Sequence, residues 1–208
     1  MVLTDKEIRI HSNHKENPMI SPFQEDQLQS ASYDVKLSGR FSTFKKNVQT
    51  IDLSKQMPKD TSELYEVDIM GEDGYILQPK EFILVELQET ITLPEDLVAH
   101  IRPRTRFTRI GLLVASQHCN PTYSGRLYLG VFNAGPNALK LSKGISIAQL
   151  VFERLSDIPS EEKWYKNAPK AAYKNESGFR GSILNEQGWT EELEEIYKEI
   201  LSSLNKRG

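Results

Sequence analysis

Cysteine is almost absent from this chain: one residue, Cys119, in 208. A single thiol cannot form an internal disulfide, and with only four scattered histidines it argues against a structural zinc site. Long apolar runs are also missing, so no segment is expected to span a membrane. The opening, Met1-Val2-Leu3-Thr4-Asp5-Lys6, lacks the pattern of a secretory signal, and a cytoplasmic protein is expected. Nor is there a large charge of one sign. The 26 Lys+Arg against 29 Asp+Glu leave -3, which speaks against general nucleic-acid binding while permitting a local basic site. Phosphate-binding P-loops, dinucleotide fingerprints, paired zinc ligands and serine-hydrolase elbows are absent.

What is present is β signal. After Thr4 as N-cap, Asp5 to Ile10 reads as a short helix. Ala31-Ser32-Tyr33-Asp34-Val35-Lys36-Leu37 alternates as a half-buried strand, with Ala31, Tyr33, Val35 and Leu37 on its inner face. Asn47 to Met70 has little periodicity and reads as a loop or excursion. Tyr75–Leu77, Phe82–Leu87, Val98–Ile101, Arg126–Asn133 and Ile145–Phe152 are short strands separated by Gly/Pro turns, the pattern of an all-β barrel or sandwich. Residues 157–188 are polar and aperiodic. From Thr190, Leu193, Ile196, Tyr197, Ile200, Leu201 and Leu204 form the apolar stripe of a C-terminal amphipathic helix. The expected division is a β domain with an N-terminal helix over 1–156, a flap over 157–188 and a helix over 189–208.

Three segments hold residues suited to chemistry. Arg102 to Gly111 carries four arginines in eight positions with no acid among them, which calls for an anion or for carboxylates from elsewhere. Thr105 as the cap of a helical turn, with Arg104 and Arg109, would cradle phosphate oxygens; the alternative is a solvated basic edge. In His118-Cys119-Asn120-Pro121-Thr122-Tyr123-Ser124-Gly125, Asn-Pro and Ser-Gly mark tight turns around Tyr123. That ring suits a sugar, or else the core. His118 and Cys119 suggest a nucleophile and its base, but neighbours in a strand face opposite ways. Tyr173 to Ser182, with two glycines, Lys174 and Arg180, reads as a flap closing on an anion or as a plain linker.

In this order the segments resemble the dCTP deaminase/dUTPase family, in particular its dCTP deaminase branch. Leu3–Ile8 is similar to the start of that branch, and Gln29–Leu37 to its first strand. Ile91–Leu97 precedes the basic segment as in the family. Arg104-Thr105-Arg106-Phe107-Thr108-Arg109-Ile110-Gly111 resembles the motif Arg-Ser-Ser-Leu-x-Arg-Leu-Gly. Asn120–Gly125 is similar to the Asp-Pro-Gly-aromatic-x-Gly turn, and Lys143–Leu150 to a Pro-Gly turn and strand.

The resemblance implies a mainly β fold, a distorted jelly-roll-like β-barrel of the dUTPase type. It also implies a homotrimer with nucleotide sites between subunits, and a nucleoside triphosphate ligand carrying Mg²⁺. Arg104, Thr105, Arg106 and Arg109 would meet the triphosphate, with Lys174 and Ser177 closing over it. Tyr123 would pack on the deoxyribose, Ser116, Gln117 and His118 would face the base, and Asn120 would stand in the turn beside them. Two positions depart from the family pattern. Gly130 falls where the deaminases carry a proton-shuttling glutamate, and Asn120 where the dUTPases carry a water-orienting aspartate. In the flap, Glu176 stands where the deaminases usually have glutamine. The expectation is a pyrimidine deoxynucleoside triphosphate binder that does not deaminate. The alternatives are an active deaminase or dUTP pyrophosphatase using another carboxylate (Glu176, Glu86 or Glu153), and a non-catalytic scaffold or nucleotide-sequestering protein.

Overall fold

The computed structural model describes residues 1–46, 64–169 and 171–181. The expected C-terminal helix lies outside the described residues. Helix α1 spans Asp5–Ser12 and begins as a capping box: Glu7 reaches back so that its Oε2 accepts the Thr4 backbone N–H at 3.0 Å. After it come β1 (Ile20–Ser21), β2 (Tyr33–Val35), β3 (Leu37–Phe44), β4 (Tyr65–Ile69), β5 (Tyr75–Leu77), β6 (Phe82–Thr92) and β7 (Leu97–Pro103). A one-turn helix α2 (Thr105–Thr108) leads to β8 (Leu112–Val114), β9 (His118–Cys119), β10 (Ser124–Asn133), β11 (Leu139–Leu141) and β12 (Ala148–Arg154).

These strands form three antiparallel sheets around one core. The largest has the order β4-β3-β6-β10-β8, with β1 also paired to β6; the second is β2-β12-β7-β9; the third is the pair β11-β5. Tyr33, Val35, Leu37, Ile83, Leu87, Ile101, Leu129 and Phe152 are fully buried between them. The chain changes sheet at Lys36, between β2 and β3. Glu89, buried on β6, accepts the Lys36 backbone N–H at 3.0 Å and so supplies the partner lost at the switch.

The expected strand at 31–37 is therefore different in kind. Tyr33, Val35 and Leu37 are buried as expected, but Ala31 is exposed while Ser32 and Asp34 are also buried. The segment is covered on both faces because it bridges two sheets. The expected excursion before Met70 also contains a strand. β4 is an edge strand whose residues after Tyr65 are all exposed, so it has no inner face to print an alternation in the sequence. Among the described residues no helix is long and apolar enough to cross a membrane.

Candidate functional site

The two long central strands of the large sheet, β6 and β10, build one wall of a cavity of about 530 Å³. Its aromatic lining comes from Phe44, Tyr65, Phe82, Tyr123, Tyr128, Tyr165 and Tyr173. Phe44 stacks on Tyr65 with centroids 4.6 Å apart and faces Phe82 at 6.0 Å. Volume and lining suit a flat organic ligand, since such pockets run to about 300–1,000 Å³ with few polar groups.

Part of the polar lining is the turn segment singled out from sequence, with Gln117 just before it. Gln117, His118, Asn120 and Tyr123 all face the cavity. Gln117 is anchored by donating from Nε2 to the Tyr128 carbonyl at 2.6 Å. His118 is exposed; its Nε2 lies 3.2 Å from Asn120 Oδ1 and its Nδ1 3.4 Å from His100 Nδ1. Tyr123 closes the turn: its N–H donates to the Asn120 carbonyl at 3.1 Å and its carbonyl accepts the Leu93 N–H at 2.9 Å. Its ring is both a core residue, 4% exposed, and part of the cavity, edge-on to Tyr165 at 5.5 Å. Burial raises its hydroxyl well above the ordinary range. Ser116 is exposed and does not line the cavity.

Cys119 is buried where His118 is exposed, as alternation requires, yet it too lines the cavity. Burial pushes its thiol up to about 12, which leaves essentially no thiolate near neutrality.

The arginine group stands apart. Arg104 caps α2, and Thr105 is its first helical residue rather than its cap. A well-placed carboxylate does answer one arginine: Asp34 Oδ2 lies 2.9 Å from Arg104 Nη1, which also donates to the Ser146 carbonyl at 3.3 Å. Burial raises the Asp34 carboxyl, while Arg104 and then Arg106 oppose that shift. Thr105, Arg106 and Arg109 are exposed, with the Arg106 guanidinium 4.8 Å from the Phe107 ring centroid. None of the four lines the cavity within this chain.

The C-terminal segment expected as a flap does reach the cavity. Tyr173, Glu176 and Arg180 line it, whereas Lys174 and Ser177 do not. Glu176 is bridged to Gly125 at the start of β10, and its carbonyl accepts the Arg126 N–H at 2.8 Å. A Cβ on Gly125 would come within 2.9 Å of the Glu176 nitrogen, and φ there is +153°, so only glycine admits this contact. Phe179 then packs edge-on against Tyr65 and Tyr128, at 5.2 and 5.5 Å. Glu176 is 6% exposed; burial pushes its carboxyl up to about 7, with Arg180 opposing and Glu86 adding to the shift.

The other two carboxylates considered from sequence are occupied elsewhere. Glu86, buried on β6, accepts from Arg126 Nη1 at 3.0 Å and from the Tyr128 hydroxyl at 2.9 Å, with Arg40 Nε at 3.5 Å. Glu153 on β12 has its Oε1 3.9 Å from His100 Nε2. Neither lines the cavity. Gly130 lies on β10 opposite Leu84, where a Cβ would sit 3.0 Å from the Phe82 ring and 3.4 Å from the Ala115 Cβ. Phe82 thus occupies the space a side chain at 130 would use. Sequence reading missed Phe44, Tyr65, Phe82, Tyr128 and Tyr165 because they are scattered along the chain and share no spacing.

The fold and cavity define an antiparallel β protein with an aromatic-lined cavity beside a tight turn. The chain belongs to the dCTP deaminase-like family, whose model matches residues 2–155. It is 32% identical over 193 residues to a dCTP deaminase, dUMP-forming, of Dictyoglomus turgidum, covering 89% of this chain and 95% of that protein. A dCTP deaminase, dUMP-forming, of Nanoarchaeum equitans is 30% identical over 202 residues, covering 88% and 98%. Among solved structures, 2'-deoxycytidine 5'-triphosphate deaminase of Agrobacterium tumefaciens superposes with a TM-score of 0.58 at 19% identity, over 73% of this chain and 46% of that one. The mainly β fold expected from the sequence is the one observed, as three antiparallel sheets around one core.

Proposed function

We propose that this protein binds a pyrimidine deoxynucleoside triphosphate in the aromatic cavity and does not deaminate it. The observation that carries this reading is the wall at Gly130. The family relatives are dCTP deaminases, yet at the position where the resemblance puts their glutamate this chain has no side chain, and Phe82 fills the gap. General acid–base catalysis is worth about 10²–10⁴-fold, so a site without its acid–base group retains binding and loses turnover. Asn120 in the turn is a neutral amide and a poor base.

In this reading the base and deoxyribose lie among Gln117, His118, Asn120 and Tyr123. The triphosphate is met by Arg104, Thr105, Arg106 and Arg109 of a neighbouring copy in a homotrimer, with Lys174 and Ser177 nearby. Two features support the division: the cavity and the arginine group lie apart within one chain, and three of those four residues are exposed. Mg²⁺ enters on the triphosphate as part of the ligand. Among the described residues no cluster of three His, Cys, Asp or Glu could hold a metal ion.

One observation favours a second reading, an active enzyme using a different carboxylate: Glu176 lines the cavity. The test is retention of dCTP, dUTP or dTTP by the purified protein together with chromatography of bases and phosphates. Retained, unchanged nucleotide supports the binder; dUTP, dUMP or pyrophosphate supports the enzyme.

A further inference from the structure

Among the described residues, the cavity's polar lining contains a single carboxyl group, Glu176, among flat aromatic walls. It is not a loose flap residue. Its main chain is paired to Gly125 and Arg126 on β10, and Phe179, three residues on, is packed between Tyr65 and Tyr128. These two attachments hold the carboxyl at the cavity from both sides. Glu86 cannot take its place, because Arg126, Tyr128 and Arg40 already use its oxygens.

A ligand that fills this space is selected by two requirements. The aromatic walls accept a planar ring. The buried carboxyl already takes the Arg180 backbone N–H, and a carboxylate keeps further acceptor sites for the donors of a ligand at this cavity. Arg180, at the same cavity, balances part of its charge without removing its capacity to accept. A cytosine-type ring offers the N4 amino group as donor, whereas a uracil-type ring offers the O4 acceptor at the same place.

We infer that Glu176 is the base-reading residue of this cavity and selects a ring bearing an exocyclic amine over one bearing a carbonyl. This rests on the nucleotide-binding reading above and adds to it the residue that decides between bases.

The test is equilibrium binding of the α,β-imido analogues of dCTP and dUTP, which resist cleavage between those phosphates, to the full-length wild type and to Glu176→Gln. The wild type is expected to prefer the dCTP analogue by about tenfold or more, because a site built around a hydrogen bond to an N–H rejects a ring lacking it. In Glu176→Gln, whose amide can donate as well as accept, the preference should fall to about threefold or less. Equal preference in wild type and variant, with both analogues bound, overturns the inference and leaves the nucleotide site standing. Failure of the wild type to bind either analogue overturns both. A deoxynucleotide analogue with hydrogen in place of the 4-amino group tests the same point on the wild type without any substitution: loss of about tenfold supports the inference, and undiminished affinity overturns it.

Discussion

Gly130 and Phe82 should behave as one unit. Adding a methyl group at position 130 places a Cβ 3.0 Å from the Phe82 ring and 3.4 Å from Ala115. Overpacking of this size costs about 1–3 kcal/mol. Gly130→Ala also removes backbone freedom from the unfolded chain, a gain of about 0.5–1 kcal/mol at an unstrained strand position. The net effect is a loss of about 1 kcal/mol in the wild-type background. Phe82 is 38% exposed, so Phe82→Ala costs about 1–2 kcal/mol, less than the 3–5 of a fully buried ring. With the ring gone, Gly130→Ala meets open space and becomes stabilising. The double-mutant cycle read by urea denaturation should therefore show about 1 kcal/mol or more of favourable coupling. The same geometry bears on chemistry: Gly130→Glu alone meets the Phe82 ring, while Gly130→Glu with Phe82→Ala gives the carboxylate room. Additive effects of Gly130→Ala and Phe82→Ala would refute this account of the wall.

Three other perturbations have definite outcomes. Burial raises the carboxyls of both Glu176 and Glu89 to about 7, so between pH 4.5 and 7 the folded chain binds more protons than the unfolded one and stability falls as pH rises. Thermal melts from pH 5 to 8 should show that decline, at most about 1.4 kcal/mol per pH unit for each group, and Glu176→Gln should remove its share; a flat profile contradicts the assignment. Asp34→Ala leaves the Arg104 guanidinium without its carboxylate and is expected to cost about 2–3 kcal/mol by chemical denaturation, with a loss below about 0.5 showing that the pair does not hold that corner together. Cys119 should react slowly with a thiol reagent in the native state and fast on unfolding; rapid native labelling would contradict the burial and raised thiol assigned to it.

Much of the β framework was legible because its strands have an inner face. Tyr75–Leu77 coincides with β5, and Phe82–Leu87 lies within a longer β6. The N-cap Thr4 of α1 is a local code legible in the sequence, and the structure adds Glu7 as the second half of a capping box. β4 escaped because an exposed edge strand prints no alternation, and β2 was misjudged at Ala31 because a strand bridging two sheets is covered on both sides. The cavity was half legible. Its turn segment carries chemistry that sequence displays, Asn-Pro and Ser-Gly around Tyr123. Its aromatic walls are assembled from distant residues, such as Phe44 with Phe82 and Tyr123 with Tyr165, and only tertiary pairing brings them together. The same holds for Asp34 and Arg104, seventy positions apart in sequence, where the acid missing from the basic segment is supplied by β2.

The central claim is a nucleotide site that has kept its binding surfaces and lost its acid–base group. It is tested most directly by incubating the purified protein with Mg²⁺ and each of dCTP, dUTP, dTTP, CTP and UTP, then resolving bases and phosphates chromatographically while measuring retention. The account predicts unchanged nucleotides with one pyrimidine deoxynucleoside triphosphate retained, and loss of that retention in Arg104→Ala or Arg109→Ala. Release of dUTP, dUMP or pyrophosphate at a catalytic rate would contradict it.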